Sequence, residues 1–139
     1  MRISYMKHYG LDRYFEFSEG YLFFWNKIEC SHSTLNKLVE IYKGDEEGPE
    51  SEKVMHILDD PVCDGGNWYM FAYLVEKYGV MPIECFPDTS STMDSKQMNE
   101  LLNSKMREFA HELFEAVMQE KSQAQIDEMI KKQTQIIFK

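Results

Sequence analysis

Residues 18–44 read Ser18-Glu19-Gly20-Tyr21-Leu22-Phe23-Phe24-Trp25-Asn26-Lys27-Ile28-Glu29-Cys30-Ser31-His32-Ser33-Thr34-Leu35-Asn36-Lys37-Leu38-Val39-Glu40-Ile41-Tyr42-Lys43-Gly44. Leu35, Leu38, Val39 and Tyr42 recur at i, i+3, i+4 and i+7, the spacing that puts side chains on one helix face. Ser18 is a good N-cap with Glu19 in the first turn, Phe17 and Leu22 sit at the staple positions, and Gly44 follows as a stop. The stretch predicts one long helix, with a break placed near Ser31 to Ser33. Its block Tyr21 to Trp25 would cover most of the helix circumference, which predicts burial on several sides.

Outward from this helix the chain stays helical. A polar loop from Gly44 to Pro49 leads to Ser51, which caps a short helix with an apolar face of Val54, Ile57 and Leu58; Pro61 ends it. Cys63-Asp64-Gly65-Gly66 forms a turn, and from Asn67 the pattern Phe71, Leu74, Val75, Tyr78 predicts a helix terminated by Gly79. Met81-Pro82 and Phe86-Pro87 mark an extended connection, because the residue before proline is pushed out of helical geometry. A polar loop at Thr89 to Thr92 precedes a helix over roughly Asp94 to Glu120, with Met98, Leu101, Leu102, Met106, Phe109, Leu113 and Val117 on one face. After Ser122, Ile126, Met129, Ile130, Gln133 and Ile137 predict a last amphipathic helix. No internal repeat and no convincing strand alternation interrupts this mainly α pattern.

Composition narrows the function classes. A length of 139 residues suits one domain or a piece of one, and 43% hydrophobic with 14% aromatic residues is more core material than a disordered acidic tail carries. The net charge of −9 speaks against nucleic acid, whose phosphates need clustered Lys and Arg. The longest apolar run, Trp68 to Val75, is too short to cross a membrane, and the first residues, Met1 to His8, lack the apolar core of an export signal. Three cysteines, Cys30, Cys63 and Cys85, fit reduced thiols better than a disulfide framework, so a cytoplasmic location is expected.

A thiol nucleophile needs a histidine within reach of its proton. Cys30 and His32 are two apart and point different ways on a helix, while Cys63 and Cys85 would need tertiary folding to meet His56 or His111. Inert thiols are the expectation. The carboxylate runs Asp45-Glu46-Glu47 and Asp59-Asp60 read as solvated charge, and no metal-ligand spacing or phosphate loop occurs, so neither metal nor cofactor is expected. Asp64-Gly65-Gly66-Asn67-Trp68 is the least ordinary segment: two adjacent residues without Cβ atoms let another backbone approach, and an aromatic follows at once. A tight turn without a ligand is the competing reading.

Four ordered blocks then carry a family likeness. Phe15 to Lys27, Asp64 to Met70, Val75 to Pro82, and the run from Phe86-Pro87-Asp88 through Met98-Asn99 and Leu101-Leu102 to Lys105-Met106-Arg107-Glu108 resemble the bleomycin hydrolase and aminopeptidase C family of papain-like cysteine peptidases. The likeness runs from about Asp12 to Glu108. Residues 1–139 are accordingly expected to be a single partial peptidase domain, family-like over 1–110 and weaker over 111–139. The fold implied is part of the helical half of a papain-like α+β architecture, with extra helices.

In such enzymes a nucleophilic Cys opens a long central helix, and a distant His and Asn complete the site from a β-rich half. By resemblance Met1 to Tyr9 correspond to the last turns of that helix, its Cys-Trp start lies upstream of Met1, and no catalytic residue maps onto this chain. The glycine pair does map. Gly65 and Gly66 would run beside a substrate backbone and bond to it, with Asn67 and Trp68 as pocket walls. The chain departs from the family pattern at Asn67, usually Gln, at Tyr69, usually Asp, and at Glu19. The resemblance also implies a peptide substrate once the rest of the peptidase is present, and a homo-oligomer. Three readings follow: part of a cysteine aminopeptidase, inactive alone; a non-catalytic helical interaction module derived from that family; or a catalytic domain using Cys63 or Cys85.

Overall fold

The computed structural model describes residues 1–44, 48–62 and 65–138. Asp45-Glu46-Glu47, Cys63 and Asp64 lie outside them, so the acidic run, one thiol and the first residue of the glycine turn receive no structural account. Seven helices are present among the described residues: α1 Arg2–Tyr9, α2 Glu19–Gly44, α3 Glu52–Asp59, α4 Trp68–Tyr78, α5 Ser90–Met93, α6 Lys96–Met118 and α7 Gln123–Ile137. The one extended pairing described is an isolated antiparallel bridge between Phe17 and Pro82.

The long helix of residues 18–44 forms without the break placed near Ser31. The Ser31 hydroxyl donates to Lys27 O of the preceding turn at 2.7 Å, and Thr34 Oγ1 donates to Pro61 O at 2.9 Å. Both hydroxyls are satisfied without opening the helix. Ser18 caps α2 as expected, its Oγ accepting from Tyr21 N at 3.0 Å. The segment Thr89 to Thr92, expected as a loop, contains the single-turn α5, because Thr89 and Thr92 cap one another reciprocally.

The chain divides into two compact units, one of residues Met1–Asn26 and Gly65–Ser95, the other of Lys27–Asp64 and Lys96–Lys139. The second unit holds the apolar core. Leu35, Val39, Val62, Met106, Phe109, Leu113, Ile126 and Ile130 form one buried cluster, and Leu38, Tyr42, Val54 and Ala110 another. These are the faces that the i, i+3, i+4 spacing marks, except that Leu101, expected on the α6 face, is 64% exposed. Arg107 donates to the carbonyls of Leu58 and Asp59 at 3.0 and 3.4 Å and so captures the open C-terminus of α3. Lys27, only 4% exposed, donates through Nζ to Val62 O at 2.6 Å. With Thr34 on Pro61, it fixes the segment that leads toward the glycine turn.

The first unit is built from rings instead. Trp25 stacks on Tyr78 with centroids 3.8 Å apart and planes 9° apart, while Tyr21 and Phe24 meet Phe86 at 5.7 and 6.3 Å. Tyr5 packs edge-on against Phe17 at 5.2 Å. The five residues Tyr21 to Trp25 are all half-buried, short of the burial expected from their sequence. Residues 16–18 are tied to 81–83 by Ser18 N to Met81 O at 2.8 Å and Ile83 N to Glu16 O at 3.0 Å, on either side of the Phe17–Pro82 bridge. That is the extended connection the prolines predict.

Candidate functional site

Gly65 and Gly66 are exposed and lead into α4. Neither has a positive φ, a feature confined among the described glycines to Gly10 and Gly79. A Cβ built on either would meet nothing within 4 Å. Neither backbone conformation nor internal crowding therefore requires glycine there, and the main chain of this pair is open to approach from outside. Asn67 follows as the N-cap of α4, its Oδ1 accepting from Met70 N at 3.1 Å, so one oxygen of this expected pocket residue is committed to the helix. Trp68 opens α4, is 72% exposed, and leans on Phe71 at 5.3 Å between centroids.

A cleft of about 320 Å³ lies in the same unit, lined by Met1, Arg2, Glu16, Phe17, Ser18, Glu19, Leu22, Phe71 and Val80. Its rim is crossed by the Arg2–Glu16 ion pair at 3.4 Å, and Arg2 also donates to Arg13 O at 3.0 Å, which anchors α1. Gly65, Gly66, Asn67 and Trp68 do not line this cleft. It comes to α4 at Phe71, the residue Trp68 rests on. Sequence reasoning singled out none of these residues as a site, because the cleft gathers α1, the 16–22 segment and α4 from separate parts of the chain.

Two of the three thiols lie among the described residues. Cys30 is half-buried against the core of the second unit, whereas Cys85 is exposed. His32, near Cys30 in sequence, is exposed and accompanied by Asn36, which donates to His32 O at 2.8 Å. His111 Nε2 lies 3.5 Å from Glu115 Oε1 on the surface of α6. Among the described residues no group of three His, Cys, Asp or Glu side chains could hold a metal ion. No described helix is long and apolar enough to cross a membrane.

An array of helices with one short extended tie is the helical part of a papain-like peptidase fold. The crystal structure of PepW from Lactobacillus rhamnosis HN001 matches it with a TM-score of 0.85 and 34% identity, over 96% of this chain and 29% of that one. The chain belongs to the Peptidase C1-like family, whose family model matches residues 1–139 and so extends through the C-terminal helices where the sequence likeness weakens. Bleomycin hydrolase of Rattus norvegicus is 44% identical over 110 residues, which are 78% of this chain and 24% of that protein. Aminopeptidase C of Listeria monocytogenes is 37% identical over 114 residues, 82% of this chain and 25% of that protein. The chain thus spans about a quarter of the length of these relatives.

Proposed function

We propose that this chain contributes the helical half and the substrate-facing glycine turn of a bleomycin hydrolase-like cysteine aminopeptidase, and supplies no catalytic residue itself. The observation that carries the reading is the state of Gly65 and Gly66: exposed, without positive φ, and without neighbours that a Cβ would strike. Glycines that the chain's own geometry does not demand are explained by an extended peptide bonding along their backbone. Trp68 stands beside them as an exposed ring suited to an apolar side chain of that peptide. The nucleophilic thiol and its His and Asn partners are then supplied by polypeptide other than these 139 residues.

The purified chain is expected to show no thiol-dependent hydrolysis of aminoacyl substrates. Turnover that disappears in Cys63→Ser or Cys85→Ser would overturn the proposal. The glycine role is tested by grafting this chain in place of the matching region of PepW: Gly66→Val is expected to raise KM for peptides about tenfold with a smaller effect on kcat. An unchanged KM would leave the turn without a substrate role. The exposed rings of α4, Trp68, Tyr69 and Tyr73, favour a second reading, a non-catalytic helical interaction module. That reading requires a graft that folds and never turns over.

A further inference from the structure

The last carbonyls of a helix have no partner inside it, and α3 ends abruptly. Asp60 leaves helical geometry at φ −138 and ψ 72, and Pro61 can neither donate a hydrogen bond nor continue the turn. From Leu58 to Val62, side chains of two other helices take hold of the chain. Arg107 of α6 donates through Nη2 to Leu58 O at 3.0 Å and to Asp59 O at 3.4 Å, and Asn103, one turn earlier, donates to the Asp60 carboxylate at 3.5 Å. α2 supplies the other half, with Thr34 Oγ1 donating to Pro61 O at 2.9 Å and Lys27 Nζ to Val62 O at 2.6 Å. Five consecutive residues thus each receive a side-chain donor. Lys27, Thr34 and Val62 are buried, and Val62 sets its side chain in the core, so water does not compete for the two α2 bonds.

Burying a lysine costs free energy that packing alone does not demand. An apolar side chain of that length would fill the space; what the ammonium adds is direction, because Val62 O must point at it, and Thr34 does the same for Pro61 O. Gly65 follows Val62 after two residues, a reach of at most about 11 Å, so these bonds set the point from which the chain leaves for the glycine pair. We infer that Lys27 and Thr34 are positioning residues for peptide binding: by fixing the carbonyls of Pro61 and Val62 they set the backbone that Gly65 and Gly66 offer to a substrate, while Arg107 and Asn103 steady the segment behind it. The inference rests on the reading of the glycine pair as the peptide-facing turn. It adds residues that act on that turn through the main chain.

The test is made in the PepW graft, with peptide substrates. Thr34→Val, which removes the donor at nearly constant volume, and Lys27→Met are each expected to raise KM about fivefold while kcat stays within about twofold. Thr34→Ser keeps the hydroxyl and is expected to restore KM. Thr134→Val takes a half-buried hydroxyl from α7, where it bonds only within its own helix to Ile130 O, and is expected to leave KM unchanged. An equal rise in that variant would reduce the effect to general stability and overturn the inference. So would an unchanged KM in Thr34→Val and Lys27→Met where Gly66→Val raises it, a result that keeps the glycine turn's role and removes that of the two donors. An unchanged KM in Gly66→Val as well removes the substrate reading of the turn, and the inference with it. If Lys27→Met does not fold, the comparison of Thr34→Val with Thr34→Ser decides alone.

Discussion

Tyr42 is 2% exposed, and its hydroxyl has no hydrogen-bond partner among the described residues. Burial pushes its pKa up to about 12 from the usual 10. The phenol is neutral below pH 10, and stability falls between pH 10 and about 12 because the unfolded chain ionises it there while the folded state holds it protonated. Thermal melts of the wild type are expected to show that fall, and Tyr42→Phe to flatten it. Below pH 10 the same substitution removes an unpaired buried hydroxyl, so it should cost nothing or gain up to about 1 kcal/mol. Lys27 is the opposite case. Lys27→Met keeps the packing of the stem but leaves Val62 O without its 2.6 Å donor, with an expected loss of about 1–3 kcal/mol by denaturant titration. Both residues were open to sequence reading as a core Tyr and a helical Lys. Their burial states were not, because each depends on what another element places against it.

At the scale of elements, α4 ends where Gly79 takes φ 75 and ψ −159, a region that side-chain-bearing residues avoid. Gly79→Ala is expected to cost about 1–3 kcal/mol in chemical unfolding, against a few tenths or a gain at Gly65, which has an ordinary φ and open space. The contrast checks the claim that the glycine pair serves something outside the chain. Helices with strong apolar periodicity were legible from sequence: Leu35 to Tyr42 on α2 and Met106 to Leu113 on α6 are buried as their spacing requires. The misses have local chemical causes. Ser31 to Ser33 looks like a break until Ser31 is seen bonded back to Lys27 O, and Thr89 to Thr92 looks like a loop until its mutual capping is counted. The glycine turn could be picked out because its composition is unusual, whereas the cleft at Phe71 could not.

For the whole molecule, the two units differ in how much interior each owns. Native-state amide exchange is expected to be slowest in Leu35–Tyr42, Met106–Leu113 and Ile126–Ile130, and faster by about two orders of magnitude in α1 and α4 of the isolated chain. Equal protection throughout would contradict this division. The block Tyr21 to Trp25 explains why sequence reading overrates the first unit: five large apolar residues promise an interior, but in the structure all five are half-buried, and Tyr21, Phe24 and Trp25 make ring contacts with Tyr78 and Phe86.

The tie between residues 16–18 and 81–83 also bears on the order of events in folding. It joins parts of the chain separated by α2, α3 and α4, and closing so long a loop in an unfolded chain forfeits roughly 4 kcal/mol of entropy before any contact repays it. The two backbone hydrogen bonds that make the bridge do not return that much. α2 residues from Lys27 onward, α3 and Val62 lie inside the loop in sequence and pack with α6 and α7, so their collapse shortens what remains to be closed. The tie therefore forms late, and refolding watched at Trp25 lags the burial of Tyr42.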